Sequence, residues 1–284
     1  MDDNGNIKQA IIISDLHCGC QFGLFALDSI TLDNGGQYYP SELQKKVTQW
    51  WREMWDEWIP DVTRDRDYAL VINGDTTDGR HHNAVTQITQ NLKDQLHIAK
   101  EILDPIVSLP HCKKLFITRG TEAHTGQAGE NEDMLAESLH AIPDEIGNYA
   151  RNELWLRIGG EHGALAHILH HISPAGYTAY ETTALMRELA SSYEQAARWG
   201  YPAPDFCIRS HRHRNAEARV PTKNVYGYSI TTPGWQLQTP LVWRIIGGRN
   251  SLPQFGGIFI RQGDKEHYSR AFVRNITRTP EVVI

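Results

Sequence analysis

Five short motifs in this 284-residue chain combine carboxylates with imidazoles, each directly after a run of apolar or β-branched residues. They are Ser14-Asp15-Leu16-His17, Gly74-Asp75-Thr76-Thr77-Asp78-Gly79, Arg119-Gly120-Thr121-Glu122-Ala123-His124, His170-His171, and Ser210-His211-Arg212-His213. Carboxylate oxygens with imidazole nitrogens form a hard-to-borderline donor set. It suits Mn²⁺, Fe or Zn²⁺ better than Ca²⁺ and needs no thiolate. There are more donors than one ion takes. Two ions bridged by a shared carboxylate would use them, and such pairs sit ~3.5–4 Å apart in hydrolases of phosphate esters. In an extended segment residues i and i+2 point to one side, so Asp-x-His and His-x-His are each expected to offer two donors to one cluster. Any one motif is a common accident. The ordered set, each member following a strand, is hard to obtain by chance.

The runs that precede these motifs have the length and composition of strands: residues 10–14 (AIIIS), 68–73 (YALVIN), 115–118 (LFIT), 164–169 (ALAHIL) and 206–209 (FCIR). Residues 154–158, 225–231 and 258–260 read the same way. The first three runs are nearly all apolar, as in central strands covered on both faces. Helical patterns lie between them, at residues 41–58, 83–109, 130–140 and 178–198. In the second, Ile88, Leu92, Leu96, Ala99 and Leu103 form one stripe, and Pro105 is expected to kink or end it. In the first, Trp51, Trp55 and Trp58 follow 4-and-3 spacing, which makes one apolar face and places the rings in the core rather than on a stacking surface. Strands alternating with helices, then strand-rich sequence from about residue 205, predict an α/β layered domain whose later strands form a second sheet. Ligands of open α/β sheets bind at the carboxyl ends of the strands, where all five motifs fall.

The order D-x-H, G-D-x-x-D, a glycine-led loop ending in His, a mid-chain His, and H-x-H resembles the calcineurin-like metallophosphoesterase superfamily over about residues 10–215. The wording RGTEAH and TTPGWQLQTP looks like versions carried by phages and prophages. The resemblance implies one domain over residues 1–284, a four-layer α/β/β/α sandwich of two mixed sheets with flanking helices, its second sheet completed by strands at about 220–275. It implies a phosphoesterase with two divalent ions (Mn, Fe or Zn). Asp15, His17 and His213 would hold the first ion, and Asp75 would bridge both. His211 and either His170 or His171 would hold the second. Asp78 would fix the loop that carries the site. The family's G-N-H loop normally supplies an Asn ligand and a catalytic His. Here the Asn is missing, so the resemblance implies that Thr121 or Glu122 would take the ligand role and His124 the catalytic one, the alternative being loss of the second ion. Arg80 and Arg119 flank the motifs and are candidates for contacts to a substrate phosphate, with surface salt bridging the alternative.

Histidine is abundant, with 14 copies, and six of them lie in the motifs. His81 and His82 follow the second motif and either line the mouth of the site or are ordinary loop residues. The four cysteines, including the pair Cys18 and Cys20, are read as free thiols in a reducing, cytoplasmic compartment. No apolar run approaches the roughly 18 residues of a membrane helix. A net charge of −6 argues against a nonspecific nucleic-acid coat protein. The charge is uneven, however: residues 205–284 hold 12 Lys and Arg against 5 Asp and Glu. That basic part either faces a phosphate-bearing substrate, such as a nucleotide or nucleic acid, or is solvated surface. Two other function classes compete with the phosphoesterase. One is a metal-binding scaffold without turnover, prompted by the missing Asn. The other is a metal hydrolase of amides.

Overall fold

The short apolar and β-branched runs form the strands, and the amphipathic stripes between them form the helices. The computed structural model describes residues 5–81, 83–173, 178–223, 225–245, 252–277 and 281–283. In chain order, β1 (Gln9–Ile13) and the short β2 (Ile30–Thr31) and β3 (Gln37–Tyr38) lead to α1 (Glu42–Glu53). A π-helical turn, Met54–Trp58, joins α1 to α2 (Ile59–Thr63). Next come β4 (Tyr68–Asn73), α3 (Leu92–Val107), β5 (Cys112–Thr118), the one-turn α4 (Glu122–Thr125) and α5 (Glu130–Ser138). Then follow β6 (Ala150–Arg151), β7 (Leu154–Ile158), β8 (Ala164–Ile168), α6 (Glu181–Trp199) and β9 (Phe206–Arg209). The chain continues with β10 (Ala216–Thr222), β11 (Val225–Thr231), α7 (Pro240–Ile245), β12 (Gln254–Arg261) and β13 (Tyr268–Asn275).

The strands form two mixed sheets, ordered β13-β12-β1-β4-β5-β6 and β10-β11-β9-β8-β7. β1, β4 and β5 run parallel, as do β8, β9 and β11. Along β1 and β4 the side chains alternate between two buried layers. Ile11, Ile13, Leu70 and Ile72 join the cluster that includes Val47, Trp51, Ile98 and Leu135 of the helices. Ala10, Ile12, Ala69 and Val71 instead meet Ala166, Ile208 and Tyr228 of the other sheet. Leu185 of α6 covers the far face of that second sheet at Ala218. The result is the expected four-layer α/β/β/α sandwich. However, β12 and β13, expected to complete the second sheet, join the first instead. There β12 pairs antiparallel with β1 and keeps that buried strand from being a sheet edge. Among the described residues no helix is long and apolar enough to cross a membrane.

Two helices do more than fill the core. At the start of α1, Ser41 Oγ accepts from Gln44 N while Gln44 Oε1 accepts from Ser41 N, a reciprocal cap. The Gln44 amide then donates to Cys20 O and Gly23 O, pinning the loop after β1. On α3, Gln95 bonds both the N–H and the C=O of Gly79, pinning the loop after β4. The helix expected from residue 83 begins only at Leu92. Asn91 caps it by accepting from Lys93 N, and residues 83–91 stay a loop. Pro105 does not end the helix, which runs on to Val107.

The tryptophans of residues 50–58 are core, as their spacing predicts. Trp51 packs edge-to-face against Trp55 (centroids 5.5 Å apart) and Trp235 (4.8 Å). The backbone N–H of Trp235 donates to Asp15 O at 2.8 Å, so this aromatic cluster also seats the first motif.

Candidate metal centre

Parallel strands deliver their carboxyl ends to one edge, and all five motifs meet there. The backbone at that edge is left-handed. Asp15, His17, Asp75, His211 and His213 have φ of 53°, 47°, 52°, 71° and 52°, and they are five of the ten non-glycine residues with positive φ among the described residues. This corrects the expectation that D-x-H and H-x-H are extended. Such a conformation costs on the order of 1–3 kcal/mol per residue and persists only where the surroundings enforce it. Here the loops enforce it on each other: Asp15 N donates to Gly74 O, His17 N to Asp75 O and Cys18 N to Thr76 O, at 2.9–3.0 Å. The turn folds the side chains back over the sheet edge.

Two donor groups result. In the first, Asp15 Oδ1 lies 3.3 Å from His213 Nε2, and His17 Nε2 lies 3.3 Å from the same nitrogen. In the second, His170 Nε2 lies 3.1 Å and His211 Nδ1 4.0 Å from Asp75 Oδ2. Thr121 belongs to the second group: its N–H donates to Asp75 Oδ1 at 2.6 Å and its Oγ1 to Oδ2 at 3.1 Å, and Oγ1 lies 3.2 Å from His211 Nδ1. The groups adjoin, with His170 Nε2 3.9 Å from Asp15 Oδ1. Asp15 Oδ1 and His170 Nε2 are buried and make no hydrogen bond. His170 Nδ1–H donates to Asn73 O at 2.7 Å, which leaves Nε2 facing the carboxylates. An imidazole held this way, beside a buried carboxylate oxygen that accepts no hydrogen bond, fits a divalent cation.

Electrostatics agree with that reading. Burial pushes the Asp15 carboxyl up, but His213 and His170 outweigh it and hold it at about 2. Burial likewise opposes the charge on Asp75, yet His170 keeps it well below the carboxylate range. His170 is pushed up to about 10, because Asp75 and Asp15 overcome the burial that would lower it. Cys18 is pushed up out of thiolate range by burial, and Cys20 likewise to about 12, so the C-x-C pair offers no thiolate ligand.

The other motif residues divide. Asp78 is buried and accepts at Oδ1 from His17 Nδ1 and Gln236 Nε2 and at Oδ2 from Gln87 Nε2 and His81 Nε2, which orients His17. His124 Nδ1–H donates to Asp78 O at 2.6 Å, and its ring meets His17 and His81 edge-on at 4.6 and 4.5 Å. Burial, with His17 nearby, lowers it to about 4. His171 is exposed at the rim, its ring centroid 5.3 Å from that of His211. Glu122 is exposed on α4 and belongs to none of the donor groups. Arg80 is exposed and donates to Gln90 O. Arg119 turns toward α5, 3.9 Å from Asp133. His82 lies outside the described residues. Several bases of the C-terminal part are paired internally, with Arg209 on Glu188, Arg214 on Glu181 and Arg274 on Glu53.

Sequence reasoning missed Glu132, which reaches the site from α5. It is fully buried, and burial together with Asp75 pushes it up to about 7. Its only sequence signal, an acidic helix start, is common. Gly120 is a second constraint, because a Cβ there would overlap the Asp75 carboxylate. Gly120→Ala is expected to keep the sheets intact but weaken divalent-metal binding at least about tenfold, or about 1.4 kcal/mol, measured by calorimetry on chelator-stripped protein.

No protein-family model matches the chain, and no curated protein matches it. Solved structures similar to it include vacuolar protein sorting 29 from Cryptosporidium parvum, at 11% identity over 95% of this chain and 100% of that one, with a TM-score of 0.35. A metallophosphoesterase from Sphaerobacter thermophilus is similar at 10% identity over 96% of this chain and 89% of that one, with a TM-score of 0.39.

Proposed function

We propose that this chain is a metal-dependent phosphoesterase acting on a phosphomonoester or phosphodiester, of nucleotide or nucleic-acid type, through two divalent ions of Mn, Fe or Zn. The observation that carries the reading is the pair of adjoining carboxylate–imidazole groups, in which Asp15 Oδ1 and His170 Nε2 are buried without a hydrogen bond. Asp15, His17 and His213 would hold one ion. His170, His211 and Thr121 would hold the other, with Asp75 shared. Bound there, the ions supply an acidified water and neutralise charge on the phosphoryl oxygens.

The chain's own residues supply orientation and a proton. Asp78 fixes the ring of His17. Asn73 O fixes the tautomer of His170. His124 spends Nδ1 on Asp78 O, which leaves Nε2 to exchange a proton with the leaving oxygen. The negative charge of a phosphate offsets the burial and the neighbouring His17 that hold His124 low. Thr121, a neutral hydroxyl already engaged by Asp75, takes the place of the usual Asn, which makes the second group the weaker half.

The test is a panel of p-nitrophenyl phosphate, bis(p-nitrophenyl) phosphate, a cyclic nucleotide and DNA. Each is offered to chelator-stripped protein reloaded with Mn²⁺, Fe²⁺ or Zn²⁺. Turnover of at least one phosphoester, abolished by chelator and restored by metal, is expected. A folded, metal-loaded protein inert on the whole panel would make it a metal-binding scaffold, and turnover of amides alone would make it an amidase.

A further inference from the structure

Glu132 grips both loops of the second donor group from behind. It sits in the first turn of α5 with no solvent exposure. Oε1 accepts from Thr76 N at 3.0 Å and Thr76 Oγ1 at 3.1 Å, and Oε2 accepts from Gly120 N at 2.6 Å. Thr76 directly follows Asp75, and Gly120 directly precedes Thr121. On the cluster side the same two loops are joined again, by Thr121 N–H and Oγ1 on the Asp75 carboxylate. The bracket therefore closes on two sides, and Asp75 and Thr121 are the side chains it places.

We propose that Glu132 is a positioning residue that sets the spacing of Asp75 and Thr121, and so the affinity of the second metal group, without touching metal or substrate. The proposal rests on the metal reading given above. The chemistry of the bracket demands a carboxylate. Two backbone N–H groups, Thr76 and Gly120, face it from different loops, and a hydroxyl faces it as well. Only a side chain that accepts at both ends satisfies all three. A glutamine has the same shape but turns a donor toward one of those N–H groups. A buried carboxylate beside Asp75 also carries a desolvation penalty that packing alone would not justify, and replacing it by an apolar side chain would leave the donors unpaired. Glu130, two residues earlier on the same helix, is exposed and accepts from Ala128 N instead. The bracket is thus specific to one position of an acidic helix start.

The experiment is Mn²⁺ calorimetry on chelator-stripped full-length protein, comparing the wild type with Glu132→Gln. The wild type is expected to bind two equivalents, one tight and one weak. In Glu132→Gln the weak step is expected to weaken at least tenfold, and by clearly more than the tight step, which keeps Asp15, His17 and His213 and shares only Asp75. An unchanged isotherm overturns the proposal, and so does equal loss of both steps, which would mean a general structural role. If Glu132→Gln does not fold, Thr76→Val removes only the hydroxyl bond and carries the test. Weakening of the second step by more than the first supports the bracket, and no change or equal loss overturns it. A wild type that binds no Mn²⁺, Fe²⁺ or Zn²⁺ overturns the metal reading itself, which separates the two failures.

Discussion

Asp75→Asn is expected to fold, to bind divalent metal more weakly in both donor groups, and to lose at least about a thousandfold in turnover, or about 4 kcal/mol of transition-state stabilisation. Asp75 has this leverage because it is shared. Its donor atoms fall within the group formed with His170 and His211 and also lie within reach of His17 of the other group. It is buried, so no water replaces what it supplies. Asparagine keeps the shape and removes the charge. Its amide nitrogen would then face either the Thr121 N–H, which now donates to Oδ1, or the His170 ring beside Oδ2. With the nitrogen at the Oδ1 position a donor meets the Thr121 N–H, and in either orientation His170 loses the carboxylate charge that holds it in place. The measurement is kcat/KM on the best substrate of the panel, with metal content by mass spectrometry and folding by circular dichroism. A folded Asp75→Asn protein with wild-type turnover would sink the two-metal mechanism.

Metal removal is expected to lower the melting temperature by on the order of 10 °C. The reason is linkage: a ligand that binds only the folded state adds about 2.7 kcal/mol at one hundred times its dissociation constant, for each site. For a chain of this size each kcal/mol is worth roughly 2–4 °C. The donor atoms come from loops after β1, β4, β5, β8 and β9, separated by up to 198 positions for the contact between Asp15 and His213. An unfolded chain does not assemble that set, so the whole binding energy counts toward folding. Stabilisation should also restrain five non-glycine residues held at positive φ. Differential scanning calorimetry with chelator and then with rising Mn²⁺ reads the shift. A melting temperature indifferent to both chelator and millimolar Mn²⁺ would refute a resident metal centre.

Much of the frame was legible because strand periodicity is local. β1 and β4 carry uninterrupted apolar residues and are covered on both faces, as such runs require. Residues 225–231 form β11 at the bounds their β-branched and aromatic content suggests. Residues 83–91 misled, because Ile88 fits the stripe of α3 while side-chain bonds to the backbone hold that stretch as a loop. Thr89 Oγ1 accepts from Asn91 N, and Gln95 Nε2 donates to Thr89 O. Such bonds compete with a helix and leave little trace in the apolar pattern.

The sequence by itself determined which residues end the strands, and therefore which carboxylates and imidazoles share one edge of the sandwich. Tertiary structure decided which way each of them turns. His170 and His171 are chemically identical neighbours, but only His170 meets Asn73 O from the adjacent sheet and aims Nε2 inward. Thr121 and Glu122 are neighbours as well. The start of α4 brings the Thr121 N–H and hydroxyl onto Asp75 and leaves Glu122 in solvent. Arg119 follows β5 as expected yet turns to Asp133, and Glu132 enters from a helix that no motif marks. The physical reason is common to all four. Side-chain direction at a loop depends on φ and ψ, and these are set here by hydrogen bonds between loops far apart in the chain. The residue types alone do not encode that left-handed geometry.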